Sequence, residues 1–188
     1  MTDKQALRAW ARAARQGISP EERVDAATAV AARVLDLPGI ERPGAVLGYA
    51  ATDEEIDPGP LLEVLRARGW RVALPRVDAP ANLALHWVRE RDTLVPGPFR
   101  ILEPAEDAPL AAPADIDLAL VPGLAFDAEC RRVGYGGCFY DSLLPLLRPD
   151  AVTAGLAFDV QLVPEVPVEA HDVPVRWVVT PRMTFAAG

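Results

Sequence analysis

Apolar residues recur at helical spacing over the first part of the chain. Across residues 3–16, leucine, tryptophan and alanine fall on one face while lysine and arginine line another, which predicts an amphipathic helix with Thr2 or Asp3 as its N-cap. Ser19 opens a Ser-Pro-Glu-Glu sequence, in which serine caps the helix, proline takes its first position and glutamate its third. A second amphipathic helix is therefore predicted from there to about Leu37.

Farther along, short apolar runs alternate with helical segments. Strands are predicted at residues 45–50, 70–75, 83–88, 116–121, 152–158 and 175–180, and helices at 60–68 and 140–147. Strand–helix–strand order is typical of parallel α/β units. The nearly continuous apolar run at 116–121 is typical of a strand that is covered on both faces. The pattern predicts an α/β fold with a mostly parallel sheet.

One polar stretch interrupts this alternation. Residues 92–114 are rich in proline, aspartate and alanine. We predict a long ordered loop at 94–104 and a surface connection at 105–114. A linker between two domains is the alternative, but neither flank has the length of a typical independent domain. Residues 1–188 are therefore interpreted as a single domain, which suits a chain of 188 residues of which 51% are apolar.

Charge and composition argue against several classes of function. A net charge of -8 disfavours broad nucleic-acid binding, which requires a basic face to displace counterions, and disfavours an anionic membrane surface. No apolar run approaches the length that spans a bilayer, and no signal peptide is visible. Two cysteines do not make a disulfide framework. We expect a cytoplasmic protein with no nucleic-acid or membrane partner, and a monomer by default.

Two cations of the first predicted helix are unusual in this acidic chain. Lys4 is the only lysine, and Arg8 follows it by four residues, so both side chains project from one face of the helix. One interpretation is a pair of cations that grips the phosphates of a nucleotide. The alternative is a solvated helix face, which spacing alone favours.

The most informative motif is a glycine-rich loop. The strand at 116–121 leads into Val121-Pro-Gly-Leu-Ala-Phe-Asp127, and Gly134-Tyr-Gly-Gly-Cys-Phe-Tyr-Asp141 follows seven residues later. Glycines let the backbone approach a ligand closely, and successive exposed N–H groups bind anions. The motif has neither the Gly-Lys-Ser/Thr end of a Walker A loop nor the spacing of a dinucleotide fingerprint. We favour a polyphosphate site over a tight turn, with Asp141 as a ligand of Mg²⁺.

Further polar positions near these motifs have two interpretations each. Arg131 and Arg132 precede the glycine-rich loop, and either is a candidate for a phosphate contact or a surface cation. Glu54, Glu55 and Asp57 follow the first strand, and α/β sheets bind ligands at the carboxyl ends of parallel strands. A carboxylate there is suited to hold an amino-pyrimidine ring through paired hydrogen bonds. The sequence alone favours an ordinary acidic loop.

The histidines and cysteines do not form an evident catalytic set. His171 and Asp172 precede the last predicted strand. They are interpreted as a proton carrier, as a metal ligand or as a pair of solvated side chains. His86 lies in an apolar strand and is interpreted as a packing residue. Cys138 has no strong partner visible in the sequence, so a buried thiol is predicted rather than a nucleophile.

Together and in this order, these segments resemble the 5-formyltetrahydrofolate cyclo-ligase family, whose members are also called 5,10-methenyltetrahydrofolate synthetases. The segments that carry the resemblance span almost the whole chain: Lys4-x-x-Leu7-Arg8, Glu55-Ile-Asp57, Gly97-Pro-Phe-Arg-Ile-Leu-Glu-Pro104, residues 121–141, and Gly155-Leu-Ala-Phe-Asp-x-Gln161 followed by His171-Asp172-Val-Pro-Val. The resemblance implies a three-layer α/β/α fold. It also implies ATP- and Mg²⁺-dependent conversion of 5-formyltetrahydrofolate to 5,10-methenyltetrahydrofolate, with release of ADP and phosphate.

The resemblance further implies roles for individual residues. The positions that it makes catalytic are Lys4, Arg132 and Asp141. The positions that it assigns to ATP are Lys4, Arg8, Arg132, Gly134, Tyr135, Gly136, Gly137, Cys138, Phe139 and Tyr140. The positions that it assigns to the reduced folate are Glu55, Tyr135, Phe139 and Tyr140. The positions that it assigns to Mg²⁺ are Asp141 and Asp172.

The chain departs from the family pattern in the same loop. The family typically reads Gly-Tyr-Gly-Gly-Gly-Tyr-Tyr-Asp-Arg, whereas this chain has Cys138, Phe139 and Ser142 at three of those positions. Cys130 and Arg100 also stand where glycines are usual. A side chain at position 138 crowds a phosphate or opposes a positive φ. Two alternatives therefore stay open: a relative that binds nucleotide or folate without efficient turnover, and a sugar-phosphate or coenzyme A protein on a similar scaffold.

Overall fold

The computed structural model describes residues 3–80, 82–89, 94–98 and 101–188. Within these ranges the α-helices are α1 (Lys4–Gln16), α2 (Pro20–Leu35), α3 (Gly59–Ala67) and α4 (Phe139–Leu143). The strands are β1 (Ala45–Leu47), β2 (Arg71–Ala79), β3 (Asn82–Val88), β4 (Leu94–Pro96), β5 (Leu102–Pro104), β6 (Leu110–Ala111), β7 (Leu118–Val121), β8 (Ala125–Phe126), β9 (Arg132–Val133), β10 (Val152–Leu156), β11 (Trp177–Val179) and β12 (Thr184–Ala186).

The central sheet of the described residues has eight strands in the order β12-β11-β10-β7-β1-β2-β3-β6. The five strands from β11 to β2 are parallel to their neighbours. β12 on one side, and β3 and β6 on the other, add antiparallel edges. Parallel strands place their carboxyl ends at one edge of a sheet, so the loops after β1, β7 and β10 are brought together there.

Apolar side chains cover both faces of this sheet. Val46 and Leu118, which are register partners, face a core shared with α2 and α3. Their neighbours Leu47 and Ala119 face a second core, which includes Leu143 of α4. Successive residues of a strand point to opposite faces, so the two cores lie on opposite sides. The α/β prediction with a mostly parallel central sheet is confirmed.

Helix α1 packs on loops at the carboxyl edge of the sheet rather than on the sheet itself. Its buried residues Leu7 and Ala11 form a separate small cluster with Leu124, Val133 and Val166. These partners belong to the β8–β9 hairpin, its flanks and the segment that follows β10. This packing holds the amino-terminal cations beside the glycine-rich loop.

The helix starts agree with the sequence prediction. The Asp3 side chain caps α1 by accepting a hydrogen bond from the backbone N–H of Gln5 at 2.9 Å, while Thr2 lies outside the described residues. Ser19 and Glu22 form a reciprocal capping box at the start of α2, which ends at Leu35 rather than Leu37. Among the described helices, none combines the length and apolar character needed to cross a bilayer.

The loops contain more strand than the sequence predicts. The predicted loop at 94–104 is wrong, because β4 and β5 pair there as an antiparallel hairpin, with residues 99–100, and thus Arg100, outside the described ranges. The predicted connection at 105–114 contains the edge strand β6. The β8–β9 hairpin and β12 are not predicted at all. Strands of two or three residues are too short to show an alternating pattern, and prolines in β4 and β5 lower their apparent strand propensity.

Candidate active site

The predicted site residues converge at the carboxyl edge of the parallel strands. The loop after β1 carries Glu55, and the Tyr135 hydroxyl donates a hydrogen bond to its Oε1 at 2.8 Å. Arg8 of α1 donates from Nε to the Gly134 carbonyl oxygen at 2.9 Å. Three separate chain segments are thus joined through the glycine loop, which we define as residues 134–138.

The backbone of the glycine loop needs glycine at two positions. Gly136 has φ +104°, which L-residues with a side chain rarely adopt. A Cβ at Gly137 would lie 2.6 Å from the Phe139 ring, so a side chain there would displace that ring. The space beside Gly136 belongs to the Arg8 guanidinium, which would lie 3.7 Å from a Cβ at that position. Because Gly136 has no side chain, the Arg8 guanidinium of α1 can lie directly against the backbone of the loop.

Lys4 reaches across the edge to an acidic segment. Its Nζ lies 2.5 Å from Asp172 Oδ2 and 2.9 Å from Glu169 Oε2, and its side chain is only 12% exposed. Burial lowers the pKa of Lys4, but the hydrogen bonds and charges of Asp172 and Glu169 outweigh it, so the pKa is raised above 10.5. Burial likewise raises the pKa of Asp172, but the hydrogen bond and charge of Lys4, together with the hydrogen bond from the Glu169 backbone N–H, outweigh it, so that the pKa is lowered below 3.8. The stabilisation from this pair is therefore fully present at neutral pH and is lost at both extremes.

Arg132, rather than Arg131, faces the glycine loop. Its Nη2 donates to Asp141 Oδ1 at 2.7 Å, and both side chains are largely buried. Asp141 also accepts from the backbone N–H of Val173 at 3.2 Å. Arg131 lies outside this group, where it pairs with Asp127 at 2.6 Å. The sequence did not indicate which of these two arginines lies near the glycine loop, and the packing of β9 shows that it is Arg132.

Three buried polar atoms near the glycine loop have no partner among the described residues. They are Nε of Arg132, the hydroxyl oxygen of Tyr140, and Nε of Arg15, whose Nη1 contacts Tyr135. Arg132 also lies over the Tyr140 ring, 5.9 Å from its centroid. Buried donors are normally satisfied, so these atoms suit the oxygens of a ligand. These unpartnered atoms favour a binding site for a phosphate or a folate over a turn that has only a structural role.

The predicted Mg²⁺ ligands lie in two ion pairs, Asp172 with Lys4 and Asp141 with Arg132. Asp172 also belongs to a group with Glu169 and His171, whose candidate ligand atoms all lie within 4.8 Å of one another. The backbone joins the two carboxylates, because the residue after Asp172 donates to Asp141. Carboxylate oxygens are the donors that Mg²⁺ prefers, so the residues present fit this ion.

Glu55 is held by several hydrogen bonds. Its Oε2 accepts from the backbone N–H of Thr52 at 2.8 Å and from the Thr52 hydroxyl at 3.0 Å. Burial first, and the negative charge of Glu55 second, raise the pKa of each tyrosine of the chain, Tyr49, Tyr135 and Tyr140. Glu55 therefore occupies an aromatic environment at the edge of the sheet.

We expect these tyrosines to resist ionisation in the folded protein. Their pKa values lie above the ordinary value of 10, so tyrosinate absorbance should be absent at pH 10 to 11 and should appear for all three when denaturant is added. Because the folded pKa values are raised, stability is retained below pH 10 and falls as the pH rises beyond it. Spectrophotometric titration measures this directly. Normal titration of Tyr49 or Tyr140 in the folded protein would contradict the burial of its hydroxyl, a test that does not extend to Tyr135, which is 42% exposed.

Arg15 is a residue of the candidate site that the sequence interpretation missed. It is fully buried, donates from Nη1 to the Tyr135 hydroxyl at 3.0 Å, and pairs through Nη2 with Glu54 at 3.2 Å. It thereby supports the tyrosine that holds Glu55. The signal was available, since Leu7, Ala11 and Arg15 follow one another at four-residue spacing on the buried face of α1.

The predictions for the histidines and cysteines have mixed outcomes. His86 is buried, with Nδ1 2.7 Å from the Ala108 carbonyl oxygen, so its assignment as a packing residue is confirmed. The prediction that Cys138 is buried is wrong: its side chain is exposed, and its Sγ lies 3.8 Å from His171 Nε2. The buried thiol is Cys130, and burial raises its pKa to about 11.

Both cysteines that replace the family's usual glycines adopt the left-handed conformation, with φ 62° at Cys130 and 53° at Cys138. Replacing either by glycine relieves a similar backbone strain of about 1 to 2 kcal/mol. Only the change at Cys130 removes a buried side chain, which is worth about 1 to 2 kcal/mol. We therefore expect Cys130→Gly to be less stable than Cys138→Gly by about that amount, as measured by urea unfolding. Equal free energies of unfolding would show that burial at Cys130 contributes nothing.

Comparison with known proteins yields one consistent family. The model of the family described as "5-formyltetrahydrofolate cyclo-ligase family" matches residues 1–181. The 5-formyltetrahydrofolate cyclo-ligase of Escherichia coli K12 is 33% identical over 175 residues, which cover 91% of this chain and 96% of that protein. The enzyme of the same name from Mycolicibacterium smegmatis is 35% identical over 147 residues, or 76% of each chain.

Solved structures agree with these sequence relatives. The solution structure of Aquifex aeolicus 5,10-methenyltetrahydrofolate synthetase superimposes with a TM-score of 0.83 at 30% identity, covering 98% of this chain and 92% of that one. A 5,10-methenyltetrahydrofolate synthetase from Mycoplasma pneumoniae has a TM-score of 0.77 at 19% identity, with coverage of 95% and 99%. The second likeness concerns the fold alone, and the first extends to sequence as well.

Proposed function

Because the chain belongs to the 5-formyltetrahydrofolate cyclo-ligase family and is a ligase acting on a folate, we propose that it uses ATP and Mg²⁺ to close 5-formyltetrahydrofolate to 5,10-methenyltetrahydrofolate, releasing ADP and phosphate. The observation that carries this proposal is the set of cations at this edge: Arg8 binds the Gly134 carbonyl, Arg132 pairs with Asp141 just after the glycine loop, and Lys4, one turn before Arg8 on α1, pairs with Asp172. In a chain with a net charge of -8, such a local concentration of cations suits a polyphosphate.

Lys4, Arg8 and Arg132 would hold the phosphates of ATP, together with the backbone of the glycine loop and the first turn of α4. The positions concerned are Gly134, Tyr135, Gly136, Gly137, Cys138, Phe139 and Tyr140. The free Nε of Arg132 supports this assignment, since it supplies a buried donor without a protein acceptor. Asp141 and Asp172 would hold Mg²⁺, which when bound neutralises charge on the phosphates.

The reduced folate would lie against Glu55 and the aromatic side chains Tyr135, Phe139 and Tyr140. The hydrogen bonds from Thr52 fix the Glu55 carboxylate, so that it is preorganised to accept from an amino-pyrimidine ring. Phe139 retains a ring for stacking, although it lacks the hydroxyl of the tyrosine usual at this position. The unpaired Tyr140 hydroxyl is a further donor for the substrate.

The chemistry requires positioning more than acid–base groups. The formyl group of the substrate is an amide, so its oxygen is a poor leaving group. The formyl oxygen attacks the γ-phosphorus of ATP, the bond from that phosphorus to ADP breaks, and an iminium-like phosphate forms. N10 then attacks the activated carbon, the carbon–oxygen bond breaks, phosphate leaves, and the N10 proton passes to solvent. The protein has to align two substrates and neutralise phosphate charge, and we assign the second task to Lys4, Arg8 and Arg132.

The chain offers little else for catalysis. It has two histidines, of which His86 is buried and His171 has a side chain 57% exposed. Neither approaches the glycine loop except through Cys138. A mechanism that relies on alignment and electrostatics therefore suits these residues better than one that relies on a general base.

We further propose that the protein acts as a monomer in the cytoplasm on reduced folate and ATP. The acidic net charge, which disfavours nucleic acid and anionic membranes, supports the choice of small-molecule partners. The two cysteines are free thiols, one buried and one exposed, as suits a reducing compartment.

The assay that tests the reaction follows the absorbance of the methenyl product. Purified protein is mixed with 5-formyltetrahydrofolate, ATP and Mg²⁺, and each component is then omitted in turn. We expect product only in the complete mixture, with one ADP and one phosphate formed for each methenyl group. Turnover without ATP or without a divalent ion would overturn the proposed nucleotide and metal requirement. Absence of product at high enzyme concentration would favour a binding protein without turnover.

Glu55→Gln is expected to weaken folate use selectively. Loss of a charge-assisted hydrogen bond costs about 1.5 to 3 kcal/mol, so KM for 5-formyltetrahydrofolate should rise about 10- to 100-fold while KM for ATP changes little. Steady-state kinetics with each substrate varied in turn measure both effects. Asp53→Asn is the matched control, because Asp53 is an exposed carboxylate of the same loop. Equal changes for both substrates would place Glu55 outside the folate site.

A further inference from the structure

Cys138 and His171 belong to a group of side chains that differs chemically from the rest of the site. Sγ of Cys138 lies 3.8 Å from Nε2 of His171. The same nitrogen lies 3.5 Å from Glu169 Oε2 and 3.8 Å from Asp172 Oδ1. A thiol, an imidazole and two carboxylates thus converge around a single ring nitrogen.

The three separations from the His171 nitrogen are close to those between ligands of one tetrahedral zinc ion. Zinc–sulfur and zinc–nitrogen bonds of about 2.3 and 2.0 Å place the two ligand atoms about 3.6 Å apart, and nitrogen and oxygen ligands about 3.3 Å apart. The observed distances differ from these by about half an ångström or less. The candidate ligand atoms of Glu169, His171 and Asp172 lie within 4.8 Å of one another, whereas Cys138 Sγ lies outside that group and contacts the His171 ring nitrogen. Binding of one ion by all four side chains therefore requires the exposed Cys138 and His171 side chains to rotate and bring the sulfur toward the carboxylates.

The ligand set selects against Mg²⁺. Magnesium takes six hard oxygen ligands, whereas a thiolate and an imidazole favour zinc and related transition-metal ions. The side chains of His171 and Glu169 are more than half exposed, so an ion can enter from solvent. Cys138 is exposed, its backbone is left-handed, and it stands where the family pattern has glycine. The thiol ligand is thus a feature of this chain rather than of that pattern.

We propose that Cys138, His171, Glu169 and Asp172 bind one Zn²⁺, and that the bound ion opposes nucleotide binding. The Cys138 thiol loses its proton to solvent as the sulfur coordinates. Asp172 uses Oδ1 for the ion, whereas its Oδ2 contacts Lys4, so a divalent charge arrives beside that ammonium group. The ion also fixes residue 138 of the glycine loop. The opposition to nucleotide rests on the proposed function, whereas the zinc site does not.

The zinc site is tested on the full chain after metal removal, without ATP or folate. Calorimetric titration with ZnCl₂ is expected to give one ion per chain, and Cys138→Ala should weaken binding at least about tenfold. Cys130→Ala is the matched control, since it removes the other thiol at a similar backbone conformation and should retain binding. With Co²⁺ as probe, a thiolate-to-cobalt absorption band should appear in the wild type and Cys130→Ala, and disappear in Cys138→Ala. Binding that is absent, independent of Cys138, or lost in Cys130→Ala would overturn the site.

The antagonism is tested by measuring ATP affinity with and without saturating free Zn²⁺, held constant by a metal buffer because ATP itself binds zinc. We expect ATP to bind at least about fivefold more weakly with zinc, and zinc to bind more weakly with Mg·ATP by the same factor. His171→Ala should abolish both effects. ATP affinity that zinc leaves unchanged would overturn the antagonism. Failure of ATP to bind at all would overturn the proposed function, and the thiol-dependent zinc titration distinguishes that outcome because it uses no nucleotide.

Discussion

Replacing Lys4 by alanine is expected to lower kcat/KM for ATP by about 10²- to 10³-fold, the loss typical of removing one preorganised donor from a developing charge. Lys4 is the only lysine of the chain, and its mostly buried ammonium lies at the carboxyl edge of the sheet beside Asp172. Alanine removes the charge and leaves Asp172 without its partner. The folate dissociation constant should change by less than about threefold, since Lys4 lies among the proposed phosphate contacts and its removal affects folate only indirectly.

Two further variants make this prediction specific. Gln5→Ala changes the next residue of α1, which is exposed, and should leave kinetics unchanged. Lys4→Arg keeps the charge but presents a planar fork in place of a compact ammonium, so it should recover only part of the activity. Steady-state kinetics and an equilibrium measurement of folate binding separate the two substrates. Wild-type kinetics in Lys4→Ala would place the nucleotide elsewhere.

Replacing Arg132 by methionine is expected to abolish activity and to lower the free energy of unfolding by about 3 to 5 kcal/mol. The side chains of Arg132 and Asp141 are only 4% and 15% exposed, and their ion pair spans 2.7 Å. Removing the guanidinium leaves Asp141 largely buried, with the Val173 N–H as its one remaining hydrogen-bond partner in the described part of the chain. Urea unfolding measures the stability, and the methenyl assay measures turnover.

A double variant separates the structural from the catalytic contribution. Arg132→Met combined with Asp141→Leu replaces the ion pair by apolar side chains, so most of the stability should return while the enzyme stays inactive. Arg148→Met is the control for a surface pair, because Arg148 is 39% exposed where it contacts Asp117, and it should cost about 1 kcal/mol or less. A double variant that regains turnover would exclude Arg132 and Asp141 from the phosphate site.

Local sequence signals were sufficient for the helices and the parallel strands. Asp3 and Ser19 cap α1 and α2 as predicted, because capping depends on residues only two or three positions apart. Strand β7 reads as buried on both faces, since every one of its side chains is apolar. The hairpins around Leu94 and Ala125 were not predictable in this way, because strands of two or three residues are stabilised by their partners rather than by their own pattern.

In the candidate site, too, the sequence predicts the kinds of residue present but not their long-range contacts. Sequence identifies Lys4, the glycine loop and Asp141 as chemical types, but it does not state which carboxylate each cation meets. Lys4 pairs with Asp172, which lies 168 residues away along the chain, and not with Asp141. Cys138 likewise contacts His171, which lies 33 residues away along the chain. Such contacts depend on how α1 and the loops pack, which no local pattern encodes.

The placement of α1 on the hairpin has a consequence for biosynthesis. The ribosome makes α1 before the glycine loop: the carbonyl that accepts the Arg8 hydrogen bond belongs to a residue translated 126 positions later, and the Lys4 partners come later still. In a nascent chain the side chains of Lys4 and Arg8 therefore lack these partners until the segments around residues 134 and 169–172 have been made. Closing so long a loop is entropically costly, so we expect the candidate site to form late in synthesis.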